Sequence, residues 1–474
     1  MPVTFSRNAF AIAACVLALL LTPLLISGSQ TKAIFALTIL AAPIAILLAV
    51  TRPMLFPYGL YAFLIPFDNL LTLSTFGTGT RLLGLLAGVA LMFWTVRRRL
   101  IIAPPASLLL WVALLAWMAL TLTWTSDFAN GIKVFGTMVQ VVLLYAIISI
   151  TPIELRDVRS LIWIIIGGGF VAAIFGYYVF HHQTPTQLEL QRELGRLQIQ
   201  IGESSIDVNH FANALLLPIA AMLVAILNTR SFLAKLVFFA ALATMIGAVY
   251  VSASREALIA VGIMMVYLAV VSRKRLQLVV ALAMAGVLSL LNPAVWQRFA
   301  EASATGGAGR TSIWAVGLAA LRHHWLIGSG LGSFTNSYDE AYIGVFQHYP
   351  VGWSRDPHNL LLHNSVELGI LGVALTVVVW AIQFRMLRCV EKGSALYDLR
   401  IIATAALIGL SVCAMFIDLF TYKYLWLLFA FIAQVRVLAY LHPQLAKPAV
   451  RSAPVEEELI TDNLWGPAVP SHAH

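Results

Sequence analysis

The sequence predicts an all-α, polytopic integral membrane protein with about 12–14 transmembrane helices, and three observations require it. Of 474 residues, 60% are hydrophobic and only 11% charged, where a soluble domain carries about 25% charge. Mean hydropathy is +0.88. Apolar runs of about 17–25 residues, long enough to cross a hydrocarbon core as helix, recur along the whole chain. The runs are continuous and do not alternate with period two, which excludes an outer-membrane barrel along with soluble, disordered and disulfide-framework classes.

In chain order the spans are expected at residues 9–27, 33–50, 54–67, 82–96, 106–124, 132–150, 160–180, 211–227, 236–251, 256–272, 277–292, 363–384, 401–417 and 422–440. The range in their number comes from two short runs, 277–292 and the Pro57- and Pro66-bearing 54–67. The first run exceeds the 7–15 residues of a signal-peptide core and a second follows at once, so an uncleaved anchor is expected. Net charge is +9, but in a membrane protein Lys and Arg report topology before they report a ligand, and no nucleic-acid partner is indicated. With a cytoplasmic N-terminus, the cytoplasmic ends collect Arg7, Arg52, Arg97, Arg98, Arg99, Arg156, Arg159, Arg230, Lys235, Arg273, Lys274, Arg275, Arg385, Arg388, Lys392, Arg400, Arg436, Lys447 and Arg451. The short loops of the other, trans side hold only Lys32, Arg81, Lys133, Arg255 and Lys423. The positive-inside rule therefore places both termini in the cytoplasm.

The organisation expected is an N-terminal transmembrane bundle (1–180), a trans segment with a short interfacial helix (181–210), transmembrane helices (211–292), a large trans loop with amphipathic helices (293–362), C-terminal transmembrane helices (363–442) and a disordered cytoplasmic tail (443–474). Cys15, Cys389 and Cys413 lie in or beside apolar runs, without disulfide or metal spacing. Mid-span charge is sparse, which counts against an ion-coupled transporter. The polar chemistry is concentrated on one face.

The most informative stretch runs from Arg355 to Gly372. Asp356 followed by Pro357 reads as an N-cap and first helical residue. That puts His358 in the first turn of a transmembrane helix, where the positive dipole end keeps an imidazole neutral and able to accept a proton. His358, Ser365, Gly369 and Gly372 then share a helical stripe, and His363 and Glu367, four apart, can pair on another face. Among the trans arginines, Arg192 is matched by Glu189 and Glu193, whereas Arg196 has no such partner downstream. Arg255 sits in a tight turn where Glu256 can neutralise it. Arg310 follows a Gly-rich stretch and opens an amphipathic segment, a natural phosphate cradle. Gly328–Phe334 lacks the lysine and the preceding strand of a phosphate loop, so no nucleotide site is expected. Without an Asp-x-Asp pair in the trans loops, no divalent metal and no cofactor is expected. A neutral base beside fixed cations suits displacement of a diphosphate leaving group.

The run from His358-Asn359 through Glu367, Gly369 and Gly372 resembles the C-terminal signature of the O-antigen ligase/polymerase superfamily. Three further pieces fit in order: Arg196 followed by Asn209-His210-Phe211-Ala212, then Ser254-Arg255, then Gly309-Arg310 with Trp314 ahead of the Gly328–Phe334 loop. Where the family has Asn-Pro-Asn this chain has Asp207-Val208-Asn209, and that turn is assigned no role. The resemblance implies a metal-independent, inverting glycosyltransferase of the GT-C type at the periplasmic face of a bacterial inner membrane. Its donor would be a glycan on undecaprenyl diphosphate and its acceptor, in a ligase, a hydroxyl of the lipid A-core, both met among membrane lipids. Carried over by position, His358 would be the catalytic base. Arg196, Arg255, Arg310 and Asn359 would hold the diphosphate and glycan, with His363 and Glu367 in support. A polysaccharide polymerase of the same superfamily is the near alternative. A lipid-linked oligosaccharide flippase is the alternative from another class.

Overall fold

The computed structural model describes residues 43–70, 72–73, 77–182, 199–201, 204–252, 254–272, 310–345, 347–348 and 352–448. The expected spans 9–27 and 277–292, most of 33–50, the interfacial helix with Arg192 and Arg196, and the tail beyond 448 lie outside them. Residues 43–51 are helical. The helices that follow are α1 (Tyr58–Leu64), α2 (Gly79–Arg98), α3 (Ala106–Thr121), α4 (Phe128–Ile150), α5 (Leu155–His181), α6 (Val208–Ala214), α7 (Leu216–Asn228) and α8 (Phe232–Val251). After these come α9 (Arg255–Val271), α10 (Arg310–His324), α11 (Phe334–Val345), α12 (Leu360–Met386), α13 (Tyr397–Ala414), α14 (Lys423–Leu441) and the short α15 (Pro443–Ala446). Two antiparallel two-stranded pieces, Thr72–Leu73 with Gly77–Thr78 and Ile199–Ile201 with Ser204–Ile206, are minor additions.

Among the described residues, eight helical segments are long and apolar enough to cross a membrane. The chain is an all-α, multi-pass membrane protein, as its apolar runs require. The expected span 54–67 is different: α1 has seven residues, about 10 Å of rise, and gives way to a 3-10 turn at Ile65–Leu70. Pro66 has no N–H with which to continue the helix.

Helices α7 and α14 are largely apolar and almost wholly buried, and they form the centre of the bundle. Trp111 of α3 packs there against Trp426 and Phe429 of α14 and against Phe420, with ring centroids 4.5, 5.7 and 5.8 Å apart. Helix α8 lies at the periphery, where Phe232, Leu233, Val237 and Phe239 are exposed. The tail begins as structure: Ala446 is buried, and Glu391 and Leu396 donate backbone N–H to the carbonyls of Ala446 and Leu445 at 2.8 and 3.2 Å. The disorder expected from 443 therefore does not hold for 443–448.

Helix α12 is broken. Gly369 has φ 63° and ψ −166°, a region open essentially to glycine. Backbone groups freed inside an apolar bundle must find partners, and here they do. Ser329 and Gly330 donate to the carbonyls of Val366 and Glu367 at 2.8 and 2.9 Å, and Ile370 donates to Trp325 at 2.9 Å. The Trp117 indole donates to the Leu368 carbonyl at 2.8 Å. The other side of the Gly328–Ser333 loop is held by the α3–α4 turn, with Thr125 Oγ1 on Leu331 O (2.9 Å) and Asn130 Nδ2 on Gly332 O (2.8 Å). The glycine-rich loop is thus a splice for a broken helix. Helices α10 and α11 and the first half of α12 share a small second core of Ile313, Val316, Ala320, Phe334, Tyr338, Tyr342, Leu362 and Val366, which caps that end of the bundle.

Candidate active site

The residue that starts α12 is Asn359. Its side chain accepts from Leu362 N at 2.9 Å and its Nδ2 donates to Met415 O at 3.0 Å. The expected cap at Asp356 and first-turn place for Pro357 are therefore corrected: Asn359 takes the cap because its side chain satisfies a helix N–H and a neighbouring carbonyl at once. His358 stands outside the helix, in the left-handed conformation with φ 46°. For a side chain other than glycine this costs about 1–3 kcal/mol and persists only when the surroundings impose it. They do so from both sides, since Trp314 Nε1 donates to Pro357 O at 2.8 Å. The expected stripe of His358, Ser365, Gly369 and Gly372 does not exist, because His358 precedes the helix and Gly369 breaks it.

Helix α9 opens directly with Arg255 after a short turn from α8, as expected, and Arg310 is the first residue of α10. Glu256, adjacent to Arg255 in sequence, has a further partner. It is buried and lies across the gap against Arg310, with Nη2 and Oε1 3.5 Å apart. The guanidinium also lies over the Phe416 ring at 6.0 Å, and that ring stacks with Trp314 at 6.3 Å. Burial and the Arg310 charge push the His358 imidazole below its ordinary range, while Asp356, Asp207 and Glu256 pull the other way. The shift favours the neutral imidazole, and its causes are burial and a neighbouring charge rather than the helix dipole.

Around this pair the fold gathers residues that spacing alone did not mark. Asp207 caps α6, accepting from Asn209 N and His210 N at 2.8 and 3.2 Å. His210 is buried, stacks on Tyr422 with centroids 3.4 Å apart and reaches the Tyr424 hydroxyl with Nδ1 at 2.8 Å. The expected His363–Glu367 pair forms at 3.1 Å, and Asp418 sits at the other ring nitrogen, 3.2 Å from Nδ1. Burial alone would raise the Asp418 carboxyl, but His363 and the Phe420 N–H outweigh it and hold it below the usual range. Glu367 also accepts from Phe334 N at 3.0 Å, which ties α12 to α11. Lys423 closes a further knot, with Nζ 2.6 Å from Asp68 and 2.7 and 2.8 Å from Thr78 and Thr80. The Asp207 cap was legible as an Asp ahead of an apolar run. Asp418 and Asp68 carried no local signal, because their partners are distant in sequence. Arg196 lies outside the described residues, and of the seven expected site residues the other six fall at this end of the bundle.

Residues 240–377 match the family model described as O-antigen ligase. The chain carries an O-antigen ligase family domain. That domain contains Arg255, Glu256, Arg310, Trp314, His358, Asn359, His363 and Glu367, whereas Asp207, His210, Tyr422 and Asp418 are brought to it from outside its bounds. A search of curated proteins finds no match to the chain. The similarity to that family thus lies in the segment that also supplies most of these side chains.

Proposed function

We propose that this protein is an O-antigen ligase. It transfers a glycan from undecaprenyl diphosphate to a hydroxyl of the lipid A-core, at the periplasmic face of a bacterial inner membrane. The observation that carries the reading is a neutral, conformationally fixed His358 on the same end of the bundle as Arg255 and Arg310, within an O-antigen ligase family domain. His358 takes the proton of the acceptor hydroxyl as its oxygen attacks the anomeric carbon. The bond from that carbon to the diphosphate breaks, and the electron pair leaves with the diphosphate. Arg255 and Arg310, with Arg196 by resemblance, stabilise the charge that builds there. The Arg310 contact with Glu256 is 3.5 Å, longer than the 2.7–2.9 Å of a tight charge-assisted bond, so a diphosphate oxygen can compete for the guanidinium. Attack opposite the leaving group inverts the anomeric centre.

The test is a lipopolysaccharide gel, with parallel analysis of undecaprenyl-linked glycans, from a strain lacking the protein. Bare lipid A-core with long polymer stranded on undecaprenyl diphosphate supports the ligase. Core capped by a single repeat, without long chains, assigns a polymerase instead. Dependence of purified protein on an ion gradient, with no turnover of donor, would assign transport.

A further inference from the structure

Only three non-glycine residues among those described have positive φ, and two of them, Ser354 and His358, fall in the loop that leads to α12. The strain at His358 belongs to the site already described. Ser354, with φ 55°, needs another reason. Its N–H and hydroxyl both donate to Asp339, at 2.6 and 3.0 Å. Two residues earlier, Gly352 N donates to the Tyr342 hydroxyl at 3.1 Å, and the Tyr338 hydroxyl donates to Gly352 O at 3.4 Å. One face of α11, carrying Tyr338, Asp339 and Tyr342, therefore clamps the loop on both sides of Trp353. The indole itself stands edge-on to Tyr342, with centroids 4.9 Å apart and planes at 87°, and Trp353 is 55% exposed.

A large aromatic ring is thus held rigidly outward by four hydrogen bonds and a strained residue. It lies five residues before His358, at most about 18 Å along the chain. Its chain neighbours Ser354, Arg355 and Asp356 are all exposed and polar. That setting differs from the Trp325-Leu326-Ile327 turn, three exposed apolar residues level with the α12 break, which suits lipid. A flat apolar ring with hydroxyl-binding groups around it fits the apolar C–H face and polar rim of a pyranose.

We propose that Trp353 is a stacking platform for a sugar ring of a glycan substrate, holding it beside His358. The inference rests on the glycosyl-transfer reading for its substrate. Among the described residues, the ring contact of Trp353 is with Tyr342 and not with His358, Arg255 or Arg310, so its loss is expected to act on binding.

The experiment uses the full chain purified into lipid nanodiscs, with lipid-linked glycan extracted from the producing strain as donor and rough lipopolysaccharide as acceptor. Trp353→Ala is expected to raise the KM of one of them about 3- to 10-fold, with kcat at saturation within about two-fold of wild type. Trp353→Tyr is expected to recover most of that loss. Which KM moves says whether the platform serves donor or acceptor. Unchanged KM for both overturns the proposal, as does a Tyr variant no better than Ala. Binding of the free glycan, released from its lipid, is measured in parallel. If wild type binds it, Trp353→Ala does not, and no transfer to rough lipopolysaccharide occurs, the reaction is misread and the platform stands.

Discussion

At the scale of single residues, the proposed chemistry turns on His358. His358→Ala is expected to abolish transfer while leaving protein level and membrane insertion unchanged, read by lipopolysaccharide gel and immunoblot; transfer by this variant removes the base assignment. A base works only when unprotonated, and burial with Arg310 lowers this imidazole below its ordinary value near 6.5. Activity of the purified enzyme should therefore be flat with pH down to about 6.5 and fall only in more acid buffer. An acid limb above 7 would contradict the assignment. Arg255→Lys is expected to weaken donor use by at least about ten-fold, because a point charge does not replace a bidentate fork on a diphosphate. Wild-type donor KM in that variant would make Arg255 structural. The residue types of this centre were legible in the sequence, since a His beside helix-start signals and arginines next to short turns stand out in so apolar a chain. The partnerships were not: Glu256 is adjacent to Arg255 in sequence and pairs with Arg310, 54 residues away.

At the scale of elements, the break in α12 places the site. The sequence reads one uninterrupted helix from Pro357 through the span 363–384, and Gly369 as one more small residue on it. The conformation at Gly369 becomes necessary only because the Leu326 carbonyl and the Gly328 N–H occupy the space a Cβ would take. Gly369→Ala should therefore destabilise the purified protein by more than about 1 kcal/mol, seen as a lower Tm or as loss of detergent-stable material. Gly136→Ala, in the middle of α4 with nothing within 4 Å of the added methyl, should be neutral or slightly stabilising. Equal Tm values for the two variants would contradict the account of the splice. The start of α12 shows the same competition on a smaller scale, since Asp356 and Asn359 both have cap chemistry and only Asn359 has Met415 O within reach.

For the whole molecule, the apolar runs predict the spans in order, and the basic residues predict their orientation. That orientation is testable at Cys389, which is exposed at the end of α12 expected to face the cytoplasm, whereas Cys413 is buried. In a Cys15→Ser background, a membrane-impermeant maleimide should label Cys389 after permeabilisation and leave it unlabelled in intact spheroplasts. Labelling of intact spheroplasts would invert the topology. The packing order of the helices was not legible, because helices in an apolar solvent have little hydrophobic reason to choose one neighbour over another. Two clamps are built from residues far apart in sequence: Lys423 with Asp68, and His363 with Asp418. The first ties the N-terminal part of the bundle to its C-terminal part, and the second ties α12 to the α13–α14 connection.

Class, most of the described span positions, the expected orientation and the candidate reactive side chains came from the sequence by itself, because each depends on composition or local spacing against a bilayer. Tertiary structure alone decided that His358 leaves the helix, that Arg310 is held by Glu256, that a glycine loop completes a broken helix and that Trp353 is turned outward. The reason is physical. In a bundle whose lipid-facing and buried surfaces are both apolar, hydrophobic pattern says how deep a segment lies but not what it touches. The contacts that build the site are polar, few and long-range.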